Sequence, residues 1–573
     1  MNDTPPAPSK APPPASLQRA AGPLSALRAD LLGAVEDVAR AAGADGAGEL
    51  SPARGHGAIT LERPRRAQFG DYSTNAAMLL AGRLGEQPRA VAERLGLALA
   101  GRLGASLQRH EIAGPGFLNL FLSDAWVAAA LAEVLGAGEG FGGGGASAPE
   151  RVLVEFVSSN PTGPLHVGHA RNAAYGDALA RILAFHGHTV AREFYVNDAG
   201  SQIAKLGESI RLLGLGQEVP EDGYHGDYLR ELLPLLGDSL DESAEALGRA
   251  AVELMLERIA PSLRAFGVLD FETWFHESSL HSGEPSEVDS TLALLAERGC
   301  TYTSDGALWL RTTDFGDDKD RVLVRSSGEH TYFASDIAYH QDKRERGFER
   351  QIDVWGADHH GYIQRMKAAY QALGGDPGEL ELLIMQLVHL VRSGERAQMS
   401  KRAGEFVTLD DLLEEIGVDA ARWYLLARSH DTTMELDVDL ARQRSNENPV
   451  YYVQYAHARI ASMLERAGEE RVRAATSSQG AEMELHRTER ELIQQLLGFP
   501  EELAEAAERR APHRVVAYVL ELAQSFTAFY RDCRVVGAES TTAESFRICL
   551  CVATRACIAR CLGLLGVSAP QEM

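Results

Sequence analysis

The sequence predicts an α/β multidomain protein: a Rossmann-like, doubly wound parallel sheet flanked by an N-terminal α+β domain and a C-terminal all-helical bundle. Three observations carry this. Between residues 151 and 445, short apolar runs at 151–158, 189–196, 352–356 and 383–391 alternate with helical periodicity, as parallel strands with crossover helices do. A glycine-rich stretch, GAGEGFGGGGASAPE at 136–150, separates that region from what precedes it. After Asn446 every segment repeats at helical spacing.

The chain has 573 residues, enough for several domains, with 45 % hydrophobic residues and a formal charge of −25. That charge argues against indiscriminate nucleic-acid binding and against a DNA partner, while leaving room for local basic surfaces such as Arg63, Arg65 and Arg66. No uninterrupted run of eighteen apolar residues signals a membrane span. Six cysteines in so long a chain form no disulfide framework, so a reducing cytoplasm is expected; Cys549, Cys551, Cys557 and Cys561 read as buried thiols rather than a zinc site.

In chain order, residues 1–23 are Pro/Ala-rich, lack the apolar core of a signal peptide, and read as a disordered tail. Residues 24–135 form the α+β domain, with amphipathic helices at 24–42 and 86–103 and a strand at 116–122. The glycines at 136–150 precede a strand instead of following one, so they make a flexible linker and not a dinucleotide loop. Within 151–445, the interval 210–300 reads as a helical insertion. The bundle, 446–573, is expected to contain helices at 484–507, 512–532 and 541–565.

The chain is organised around Val152–Asp177. Val152, Leu153, Val154, Phe156 and Val157 read as a buried strand, and Ser158–Pro164 as a loop. Helical spacing begins near His166, so His166 and His169 share the first turn, with Gly168 between them allowing close approach. A helix start offers N–H groups and a positive dipole end that suit phosphate; the same spacing is equally compatible with histidines that only cap the helix. No nearby Cys or carboxylate completes a metal set. Two further stretches fall where strand ends should meet. Gly356 ends a strand two residues before Asp358, a spacing that suits a ribose or a simple capped turn. Asp336 lies four residues after Tyr332, on one helical face.

His166-Val167-Gly168-His169, after Asn160-Pro161-Thr162-Gly163-Pro164, resembles the HIGH signature of class I aminoacyl-tRNA synthetases, and the longer string EFVSSNPTGPLHVGHARNAAYGDALARIL resembles bacterial arginyl-tRNA synthetases. Gly356-Ala357-Asp358 resembles that class's G-x-D element. Gln398-Met399-Ser400-Lys401-Arg402 resembles its KMSKS loop, with Gln398 in place of the first lysine. FGDYSTNAAMLLA and IAGPGFLNLFL resemble the family's N-terminal domain, and NENPVYYVQYAHARIASMLERA its anticodon-binding bundle.

The resemblance implies a ligase that activates L-arginine with ATP, Mg²⁺ arriving with the nucleotide and no metal bound tightly by protein, then charges tRNA(Arg). It implies His166, His169 and Lys401 as catalytic. Pro161, Gly163, Gly168, Gly356, Asp358, His359, Met399, Ser400 and Arg402 are implied around ATP, and Glu155, Asn160, Tyr332 and Asp336 around arginine. Against tRNA it implies Arg65, Phe69, Tyr72 and Asn75 at the elbow, and Tyr451, Tyr455, His457, Arg459, Tyr530 and Met573 at the anticodon. A monomer that needs tRNA for activation is expected. An inactive paralogue serving only as a tRNA-binding module is the alternative.

Overall fold

The computed structural model describes residues 22–43, 58–64, 66–396, 407–477 and 484–573. In the N-terminal part, helices Pro23–Ala41, Ala76–Leu84 and Pro88–Leu103 cover an antiparallel sheet of β1 (Tyr72–Thr74), β2 (Leu107–Ala113) and β3 (Phe117–Leu122), in the order β1-β3-β2. Leu118, Leu120 and Leu122 are buried in this core. Ser123 then caps the helix Asp124–Ala137 by accepting from the Trp126 amide at 3.2 Å.

The stretch expected to be a flexible linker is packed. The Gly144 amide donates to Phe185 O and the Ala146 amide to His186 O, both at 2.9 Å, and Phe141 is buried against Phe499. Its glycines serve close approach: a Cβ on Gly142 would lie 2.5 Å from the Phe499 ring, and one on Gly143 3.0 Å from Phe185.

The central sheet is five-stranded and parallel, with order β11-β10-β4-β5-β6. It comprises β4 (Arg151–Glu155), β5 (Thr189–Val196), β6 (Thr273–His276), β10 (Arg350–Gly356) and β11 (Leu380–Met385). β5 lies on one side of β4 and β10 on the other, so the strand order reverses at the β4/β10 gap, where ligands of such sheets bind. A small antiparallel sheet, β7 (Thr301–Ser304), β8 (Ala307–Leu310) and β9 (Arg321–Val324), stands between β6 and the helix Tyr332–Glu345.

Two expectations are corrected here. The interval 210–300 holds helices, but it also supplies the edge strand β6, whose four residues are too few to show a period. The run 383–391 is two strands: β11 ends at Met385, and β12 (Val388–Arg392) joins β13 (Glu395–Arg396) and β14 (Met434–Asp437) in a separate sheet. A continuous apolar run does not reveal such a break.

The C-terminal bundle comprises helices Pro449–Ala467, Glu469–Ser477, Arg487–Leu497, Phe499–Glu508, His513–Asp532 and Thr541–Leu565. The helix expected at 484–507 is two, divided at Gly498 with Pro500 in the next first turn, where its missing N–H costs nothing. Cys551, Cys557 and Cys561 are buried on the last helix.

Candidate active site

β4 ends at Glu155 and the chain turns sharply. Val157 has φ 69° and Ser158 φ 38°, unusual for a β-branched residue and a mark of local strain. The turn is held by Asn172, a residue the sequence reading passed over. Its Oδ1 accepts from the Val157 amide at 2.6 Å and its Nδ2 donates to Val354 O at 2.7 Å, tying the ends of β4 and β10 together.

The helix Val167–His186 starts on the two histidines. His166 Nδ1 accepts from the Gly168 amide at 3.1 Å, and His169 Nδ1 accepts from the His166 amide at 3.3 Å. The rings stack with centroids 3.7 Å apart. Each Nδ1 is an acceptor, so a neutral ring carries its proton on Nε2 as a donor. The two readings of this pair are therefore compatible: Nδ1 is used in the local turn, and capping does not consume Nε2. Gly168 is required, because a Cβ there would lie 2.9 Å from His166 Cε1.

Lys401, Met399, Ser400 and Arg402 lie outside the described residues. The chain that follows them is fixed to the histidine turn. The Val167 amide donates to Val407 O at 3.3 Å and the Leu409 amide to Leu165 O at 2.7 Å.

At the end of β10, Gly356 leads into the 3-10 turn Ala357–Tyr362, with Asp358 and His359 exposed. A Cβ on Gly356 would lie 2.7 Å from Asp358 Oδ1, so glycine lets the carboxylate fold over the strand end. Pro161 is buried, and Gly163 packs under Tyr228, which donates to Thr162 O at 2.8 Å.

The residues expected around a guanidinium separate into two groups. Glu155 is buried, and its Oε2 accepts from Lys343 Nζ at 2.6 Å; the same ammonium donates to Asp353 at 2.8 Å. Glu155, expected beside arginine, is thus ion-paired with Lys343 in the ligand-free chain. Asp336 is otherwise placed. It faces Tyr362, whose hydroxyl donates to Oδ2 at 2.6 Å, and burial pushes its carboxyl above the usual range.

Beside Asp336 lies Glu277, which the sequence reading missed. It is 4 % exposed, and burial together with the Asp336 charge raises its carboxyl to about 7. Asp198 fixes the turn that carries it, accepting from the Ser278 amide at 2.8 Å and bonding His276 Nδ1 at 2.9 Å. Burial raises both acids, and the Asp336 charge raises Glu277 further, which is an electrostatic setting that favours a cation. Tyr332 is exposed at the mouth, its hydroxyl near Gly200, and Asn160 donates to Gln202 Oε1 at 2.9 Å. No spacing rule links Glu277 to Asp336; its signal was an acid directly after the short apolar run of β6.

Comparison with known proteins bears on all three parts. Residues 34–122 match the family described as arginyl tRNA synthetase N terminal domain, residues 134–213 and 266–461 that of tRNA synthetases class I (R), catalytic domain, and 453–573 that of the DALR anticodon binding domain. The arginine–tRNA ligase of Carboxydothermus hydrogenoformans is 46 % identical over 532 residues, 90 % of this chain and 94 % of that protein. That of Bacillus subtilis is 45 % identical over 529 residues, with the same coverage.

The chain belongs to the arginyl-tRNA synthetase family.

The fold of the Thermus thermophilus arginyl-tRNA synthetase superposes with a TM-score of 0.74 at 24 % identity, covering 96 % of this chain and all of that one. In this family member, the outer surfaces expected to meet tRNA sort by exposure. On the bundle, Tyr451 and Tyr455 stack at 6.1 Å, and the Arg459 guanidinium lies over Tyr455 at 4.5 Å and Tyr530 at 5.1 Å. That half-exposed ladder suits unpaired bases. Met573 is exposed nearby in sequence to the chain end. A cleft of about 880 Å³ opens beside Tyr451, with Arg442 and Arg444 in its lining.

His457 is buried, and its Nδ1 lies 2.8 Å from Pro570 O, pinning the C-terminal segment. In the N-terminal domain Phe69 is exposed and Arg65 lies outside the described residues. Tyr72 is buried in that domain's core. Asn75 is spent on the backbone, accepting from the Thr60 amide at 2.8 Å and donating to Ala58 O at 3.0 Å. Aromatic and amide residues in a surface-like string had nothing to distinguish packing from contact. The two outer domains are clamped together by Arg490, which donates to Asp71 at 2.6 Å and to Asp124 at 2.7 Å.

Proposed function

We propose that the cleft at the β4/β10 gap binds ATP and L-arginine side by side, and that the chain thereby performs the attachment of L-arginine to its tRNA that defines its family. The carrying observation is the pairing of two Nδ1-locked histidines at a helix start with the Glu277–Asp336 acid pocket.

The arginine carboxylate oxygen attacks the α-phosphorus as the bond to pyrophosphate breaks. A terminal ribose hydroxyl of tRNA then attacks the acyl carbon, and AMP leaves. No protein nucleophile takes part, so catalysis is positioning and stabilisation of phosphoryl charge. His166 and His169 donate from Nε2 to phosphate oxygens, aided by the helix N-terminus. Pro161, Gly163 and Gly168 shape that cradle; Gly356, Asp358 and His359 hold the adenosine. Lys401, with Met399, Ser400 and Arg402, closes over the triphosphate from a loop whose exit is bonded to the histidine turn.

Glu277 and Asp336 take the guanidinium in a charge-assisted fork, with Tyr332 and Asn160 at the mouth. Mg²⁺ arrives with the triphosphate, as the family's ATP-dependent chemistry implies. The N-terminal domain, through Phe69 and its basic neighbours, meets the tRNA elbow. The bundle, through Tyr451, Tyr455, Arg459, Tyr530 and Met573, meets the anticodon loop. The chain works as a cytoplasmic monomer that requires tRNA for activation.

Charging total tRNA with each of twenty labelled amino acids tests the assignment: arginine alone should be incorporated. ATP–pyrophosphate exchange at full rate without tRNA overturns the tRNA requirement.

A further inference from the structure

The turn assigned to adenosine and the pocket assigned to arginine meet at one side chain. Tyr362 ends the 3-10 turn that begins after Gly356, and its hydroxyl donates to Asp336 Oδ2 at 2.6 Å. The ring is fixed on several sides: Phe333 edge-on at 6.0 Å, Trp355 at 5.9 Å, and the Arg365 guanidinium above it at 4.6 Å. His359, from the same turn, packs against it at 6.3 Å. The phenol stays protonated, since burial and the Asp336 charge push its ionisation far above the usual tyrosine range. It is therefore a permanent donor to a carboxylate whose ionised form burial disfavours and this hydrogen bond favours.

We propose that Tyr362 is a positioning residue that couples the two substrates: a nucleotide settling on Gly356–His359 fixes the turn, and the turn fixes Asp336 ionised and oriented for the guanidinium. This rests on the site reading given above. Coupling of this kind is reciprocal, so arginine must tighten the nucleotide by the factor with which the nucleotide tightens arginine. The charged and titratable groups facing Asp336 are Glu277 beyond β6, Tyr195 on β5, His340 and Lys343 on its own helix, and His359 and Tyr362 on the turn. Of these, Tyr362 donates directly to its carboxylate oxygen.

The test uses the full-length protein and measures arginine dissociation constants from pH 5.5 to 8.5, with and without a non-hydrolysable ATP analogue. Tyr362→Phe keeps the ring and its packing, so folding is not at stake. Loss of a hydrogen bond to a charged group should weaken arginine roughly tenfold. The analogue's tightening of arginine should fall toward unity, and the acid limb of arginine binding should move to higher pH. A fluorotyrosine at 362, a stronger donor, should move that limb to lower pH. Equal analogue factors and unmoved limbs in wild type and Tyr362→Phe overturn the proposal. Asp336→Asn separates this from the site reading: undiminished arginine binding there sinks the reading itself, whereas loss there with an unaffected Tyr362→Phe sinks only the coupling.

Discussion

Lys343 Nζ stands 2.6 Å from Glu155 Oε2 and shares its remaining charge with Asp353, the residue opposite Glu155 in the β4/β10 register. Lys343 is fully buried, and the two acids hold its ammonium well above the usual lysine range. The two strand-end acids thus share one buried ammonium, whereas Glu277 and Asp336 accept from neutral tyrosine hydroxyls.

That division predicts different phenotypes for two glutamates. Lys343→Met strands two buried carboxylates and should cost about 3–5 kcal/mol, read as a lowered denaturant midpoint. Glu155→Gln should cost stability while raising arginine KM far less than Glu277→Gln does. Equal KM effects from the two changes would return Glu155 to the substrate.

Arginine binding should depend on pH through Glu277. Its carboxyl ionises at about 7 in the ligand-free protein, and a guanidinium favours the ionised form. Arginine KM should therefore rise as pH falls through 7; Glu277→Gln removes the Glu277 part of that limb, leaving the part set by Asp336, while weakening arginine by roughly a hundredfold. The sign for stability is opposite. A raised folded-state value leaves stability whole at low pH and erodes it as pH climbs from the ordinary carboxylate range to about 7. Glu277→Gln should flatten that fall in a melting series.

His166 Nδ1 caps the helix, and the proposed mechanism gives Nε2 to the phosphates, so the two duties can be separated. Asparagine is a good N-cap, so His166→Asn should hold the unfolding free energy within ~1 kcal/mol of wild type. It should lower tRNA-supported ATP–pyrophosphate exchange about 10²–10³-fold, the effect of losing one donor to developing charge. His166→Ala should lose both. A His166→Asn protein as active as wild type would reduce the pair to a cap.

The packed glycine segment predicts intolerance where a flexible linker would be indifferent. Gly142 has φ 86° and no room for a Cβ beside Phe499. Gly142→Ala should destabilise the protein by at least ~1 kcal/mol in urea unfolding, whereas Gly136→Ala, with nothing near its Cβ position, should not.

The sequence by itself determined the alternation of strand and helix, the helix start at His166–His169, the strand-end glycine at 356, and through its motifs the family. These are local patterns, and periodicity and turn chemistry report them directly. Only the tertiary structure decided which acids are ion-paired within the protein. Glu155 and Glu277 each follow a short apolar strand and look alike in the chain, yet Lys343, 188 residues from Glu155, neutralises one and not the other. Likewise the resemblance implied tRNA contacts for Tyr72, Asn75 and His457, and only the fold shows Tyr72 and His457 buried and the Asn75 amide bonded to backbone. The physical reason is common to all: ionisation and exposure are set by neighbours brought together from distant parts of the chain, which no spacing along it encodes.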